Sequence, residues 1–91
     1  MNELDDEIKY FQDRLSEIRE ELVDNSKLID ILKFSLRHLD ENNSTYVNFV
    51  KNLITELTNT NQKLKLEHNY VQGNIYILES QLENLKNEPN Y

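Results

Sequence analysis

An all-α fold, a coiled coil folded into a helical hairpin of two long antiparallel helices, is predicted by three features of this sequence. Apolar residues recur at alternating steps of four and three along both halves of the chain. A short polar stretch separates the halves. A single Gly and a single Pro among 91 residues leave little to punctuate a series of short strands.

The first helix is expected over 3–41. Its a positions are Ile8, Leu15, Leu22, Ile29 and Leu36, and its d positions are Leu4, Phe11, Ile18, Asn25, Leu32 and Leu39. Asn25 is the polar exception in that seam. Asp24-Asn25-Ser26 also offers a place where one helix ends and another is capped.

The segment Asp40-Glu41-Asn42-Asn43-Ser44-Thr45 joins poor helix formers to good capping residues, so a turn is expected at 42–45. The alternative is a long continuous helix that passes through this segment as a four-residue stutter and pairs as a coiled-coil dimer.

The second helix is expected over 46–87, with a at Val47, Ile54, Asn61, His68, Ile75 and Leu82 and d at Val50, Leu57, Leu64, Val71, Leu78 and Leu85. Gly73 falls on its outward side, as a tolerated exposed glycine or a hinge. Pro89 closes the helix and leaves a frayed tail at 88–91. The whole of 1–91 reads as a single unit.

Reversal at Asn43 makes each seam residue face the one whose number completes a sum of 86, so every layer joins an a to a d. Asn25 then meets Asn61 and His68 meets Ile18. Two facing amides satisfy each other, where a lone buried amide costs about 1–3 kcal/mol. Asn25, Asn61 and His68 are therefore the residues expected to set register from a polar core.

One narrow stripe per helix is too little for a stable lone hairpin. Outside the seam, Leu28, Ile31 and Phe34 on the first helix and Tyr46, Phe49 and Leu53 on the second form an extra apolar set near the turn. These six are the expected oligomer or partner interface, either between two hairpins in a dimeric four-helix bundle or as a groove for another subunit's helix. Tyr70 and Ile77 extend a thinner stripe.

Ten Lys and Arg against 17 Asp and Glu give a net charge of −7, and the mean hydropathy is −0.77. Residues 1–24 hold nine of the acids and three of the bases. Such a surface disfavours phosphate backbones and anionic lipid, so neither nucleic acid nor membrane is an expected partner. A solvated face is its ordinary reading, and docking to a basic protein the sharper one. No cysteine is present to form a disulfide or a thiolate site. The opening residues lack the pattern of a secretory signal, which places the expected location inside the cell, in cytoplasm or nucleus.

Catalytic chemistry has little to stand on. His38 and His68 are the two imidazoles, and neither has the helical ligand spacing of a metal site. Glu20-Glu21 and Glu79 with Glu83 lie on exposed helix surface with nothing to split their pKa values. No catalytic residue, cofactor, metal or small-molecule substrate is expected.

In its long seams and polar surface the chain resembles small coiled-coil subunits of eukaryotic cytoskeletal, kinetochore and tethering assemblies, a likeness of style without a shared motif. The expected function is a non-enzymatic scaffold or adaptor that self-associates and binds another protein. An acidic regulatory binder that blocks a basic surface is the alternative, and a hairpin holdase a weaker third.

Overall fold

The computed structural model describes residues 3–39 and 42–87, and among these the chain is a helical hairpin. Helix α1 spans Glu3–Arg37 (35 residues) and α2 spans Ser44–Lys86 (43 residues). No strand occurs among the described residues. Hydrogen bonds between the two helices fix the antiparallel course: Arg14 reaches Glu67, Arg19 reaches His68, and Asn25 reaches Asn61. The pair is 16 × 15 Å across and, at about 1.5 Å of rise per residue, α2 is about 64 Å long.

Both helix ends at the turn have local causes. The backbone N–H groups of His38 and Leu39 donate to Ser35 and Leu36 at 3.1 and 3.4 Å. These bonds tighten the exit from α1 after Arg37. Asn43 caps α2: its side-chain oxygen accepts from the Tyr46 N–H at 3.4 Å, so Ser44 and Thr45 enter the first helical turn. The observed boundaries are therefore 37 and 44, where sequence reading set 41 and 46. Asp40 and Glu41, and the expected tail at 88–91, lie outside the described residues. At the far end, the Asn87 N–H donates to the Glu83 carbonyl at 3.1 Å.

Helix α1 runs without a break through Asp24-Asn25-Ser26. The reason is visible at Asn25, whose amide is used across the hairpin rather than as a local cap. Glu3, Asp5 and Asp6 in the first turn and Arg37 in the last also suit the helix dipole.

Every buried residue among those described stands on the heptad seam. Leu15, Ile18, Leu64, Val71 and Ile75 form one cluster, with Phe11 and Leu22 packed against it. Ile8, Ile29 and Val50 extend the seam toward the two ends. Ile18 is fully enclosed, with 0% of its surface exposed. Leu85 departs from its expected seam position and is 53% exposed; it lies beyond Leu82, which faces Leu4 in the first described turn of α1. Among the described residues, no helix is long and apolar enough to cross a membrane.

Candidate functional site

The Arg14–Glu67 pair identifies one flank of the hairpin. Arg14 donates Nε to Oε1 of Glu67 at 2.8 Å and Nη2 to Oε2 at 2.9 Å, and its Nη1 reaches Glu17 at 3.2 Å. This two-pronged fit is the favoured geometry of guanidinium with carboxylate. It raises the Arg14 pKa, chiefly through the Glu67 hydrogen bond, and the same bond holds the Glu67 carboxyl below its ordinary value. Arg14 and Glu67 each directly precede an a residue, so they flank the seam on the same side.

Leu28 and Leu53 lie two heptads nearer the turn from that pair, and so oppose each other on this same flank. Leu53 is half-buried while Leu28 remains exposed. Ile31 and Phe34 continue outward on α1 and Tyr46 and Phe49 on α2. Ile31 is 60% exposed, Phe34 63% and Phe49 61%. Tyr46 and Phe49 lie near parallel, with ring centroids 6.4 Å apart, and Phe34 meets the His38 ring at 4.5 Å. All six expected interface residues lie in the turn-proximal third, but not on one flank: Leu28, Tyr46 and Leu53 stand beside the seam, Ile31 and Phe49 one step farther round, and Phe34 directly away from the opposite helix, the position Gly73 holds on α2. Folding the hairpin leaves most of that apolar surface uncovered. His38 takes part as a ring beside Phe34.

The opposite flank has a different character. An open groove there is lined by Gln12, Arg19, Gln72 and Glu79, and a second near the turn by Leu36, Leu39, Val47 and Lys51. Arg19 on this edge donates to His68 and shares the first groove with Glu79. Half-buried polar residues beside the seam occur on the Arg14 flank (Arg14, Glu67 and Asn74), and that flank is the more closed of the two.

The polar layer is complete. Asn25 Nδ2 donates to Asn61 Oδ1 at 3.0 Å, and Asn61 Nδ2 donates to the Ser26 hydroxyl at 3.3 Å. No buried side-chain nitrogen or oxygen among the described residues lacks a partner. His68 is half-buried and its Nε2 accepts from Arg19 Nε at 3.2 Å, an arrangement that puts the ring hydrogen on Nδ1. Among the described residues, no group of three or more His, Cys, Asp or Glu is gathered as a metal site would need.

Sequence reasoning missed the Arg14–Glu67 pair. The signal was present: once a and d sum to 86, the residues before each a sum to 81, which pairs position 14 with 67 and 28 with 53. Comparison with protein-family models, curated proteins and solved structures finds no match to this chain.

Proposed function

We propose that this chain is a non-enzymatic interaction module, a coiled-coil hairpin that self-associates through its turn-proximal apolar residues and serves as a scaffold or adaptor within a larger protein assembly. The observation that carries this reading is the exposure of Leu28, Ile31, Phe34, Tyr46 and Phe49 together in the turn-proximal third, where apolar side chains are denser than at Tyr10, Leu66, Tyr70 and Tyr76 farther along the rod. Single exposed apolar residues are ordinary; a rimmed cluster of aromatic and aliphatic side chains marks a contact surface. The partner is protein, with no small molecule, nucleic acid or membrane called for, and the working location is cytoplasm or nucleus.

The test is mass against concentration. Phe34→Glu or Phe49→Glu is expected to halve the mass seen in sedimentation equilibrium while circular dichroism stays helical, because neither side chain supports the hairpin core. An unchanged mass rejects these residues as the interface.

A second reading rests on the acids of α1. Asp5, Asp6 and Glu7 are exposed at its first turns, a placement suited to a basic protein surface. It requires that neutralising all three abolishes partner binding and that binding weakens steeply with salt. Salt-independent binding would remove it.

A further inference from the structure

We propose that the outward face of α2 over 59–84 is a separate self-docking surface, on which two copies of the chain pack α2 against α2 in antiparallel order with Tyr70 of each seated over Gly73 of the other. This surface stands apart from the turn-proximal residues and does not depend on the self-association assigned to them.

Charge distinguishes the two outward faces of the rod. Over 3–27, the outward b, c and f positions of α1 carry Glu3, Asp6, Asp13, Glu17, Glu20 and Asp24 against Lys9 and Lys27. At the same levels of α2, over 59–84, those positions carry Lys63 and Glu83 as their only charges among the described residues. Two copies meeting through α1 bring acids together. Meeting through α2 keeps each α1 on the outside, a helix diameter of about 10 Å from the contact, where like charges no longer oppose it.

The α2 face also has the spacing of a second seam. Leu66, Tyr70, Gly73 and Ile77 follow one another at steps of four, three and four, at f and c positions that point away from α1. Leu66 is 71% exposed, Tyr70 70% and Ile77 54%. Gly73 has no use within the hairpin. Its φ is not positive and a β-carbon there meets nothing within 4 Å, while glycine inside a helix weakens it.

Two-fold pairing supplies that use. When facing numbers sum to 143, Leu66 meets Ile77 of the other copy and Tyr70 meets Gly73, so the bulkiest side chain of the seam lies over the position that has none. Lys63 then stands beside Ser80, with Glu83 of opposite charge one turn on. A shift of one heptad leaves Ile77 against Asn59 or Leu66 against Asn84, and parallel pairing sets Gly73 on Gly73 and Lys63 on Lys63. The hairpin's own geometry fixes a further point of contact. Its seam sums to 86 and the residues before each a pair at 81, as Arg14 does with Glu67; by the same offset the residues before each c pair at 138, so Asn69 meets its own counterpart. The seam over 63–80 is about 27 Å long. A contact of that length falls below about 1,200 Å² and dissociates on dilution.

The chain has no cysteine, so one thiol per chain reports on the pairing. The background carries Phe34→Glu and Phe49→Glu, which removes the turn-proximal contact and keeps the two readings separable. Asn69→Cys at millimolar concentration is expected to give covalent dimer with a short bis-maleimide crosslinker. Asn59→Cys, about 37 Å from its counterpart in this arrangement, is expected to give none. Equal yields from the two, or none from Asn69→Cys, overturn the arrangement, as does a monomer in sedimentation at every concentration. Gly73→Leu fills the space that Tyr70 of the other copy takes and should weaken association about tenfold or more, with helicity in circular dichroism unchanged. Undiminished crosslinking in that variant would overturn the seating of Tyr70 over Gly73 and the register with it.

Discussion

At the scale of single residues, the seam layers differ in kind and should differ in what their loss costs. Ile18 has no exposed surface, so Ile18→Ala leaves a cavity and is expected to lower stability by about 2–5 kcal/mol in urea unfolding. The Asn25–Asn61 layer behaves otherwise. Asn25→Leu leaves the Asn61 oxygen without its donor and should cost about 1–3 kcal/mol. The double variant Asn25→Leu/Asn61→Leu removes both amides and is expected to regain that loss or exceed it, while relaxing the register they set. A double variant no more stable than the single would show that the amides are not coupled. The Arg14–Glu67 pair supplies a pH dependence with a defined sign. The Glu67 carboxyl is depressed by the Arg14 hydrogen bond. Its contribution is therefore present above the unfolded carboxylate pKa and fades as pH falls through the lower folded value. Glu67→Gln should flatten that part of the acid limb in a series of urea midpoints, and an unaltered acid limb would count against the pair.

At the scale of elements, the seam and the polar layer were legible because helical geometry converts spacing directly into facing partners. Steps of four and three name the buried positions, and reversal at Asn43 names their opposites, Asn25 to Asn61 included. Helix ends were less legible: Ser44 and Thr45 are poor interior residues, yet Asn43 supplies a cap that draws them into α2. The flank of each non-seam residue was also missed. It follows from the register only after the chain direction is known, and Leu28 facing Leu53 is one result. Gly73 tests the helix directly. A β-carbon there meets nothing within 4 Å, and the residue has no positive φ. Gly73→Ala is expected to raise stability by about 0.5–1 kcal/mol, read as a higher urea midpoint. A loss would indicate that α2 bends at that point.

At the scale of the whole molecule, the prediction concerns which chain supplies each strand of the seam. Gln12 and Gln72 line one groove and stand opposite each other. Gln12→Cys/Gln72→Cys should therefore oxidise to a bond within one chain, seen as monomer mass on a non-reducing gel. Bonds formed between chains would instead indicate two long helices exchanging partners. The crowding of exposed acids at the start of α1, Glu3, Asp5, Asp6 and Glu7, has a further consequence for the solution behaviour of the rod. Mutual repulsion there, added to a net charge of −7, is the part of its energetics most exposed to dissolved ions. At an ionic strength of 0.1 M the screening length is about 10 Å, short enough to damp repulsion among those carboxylates. Ordinary sodium chloride should raise the melting temperature of this hairpin, so dilute buffer, the usual refuge for acidic proteins, is where it is weakest.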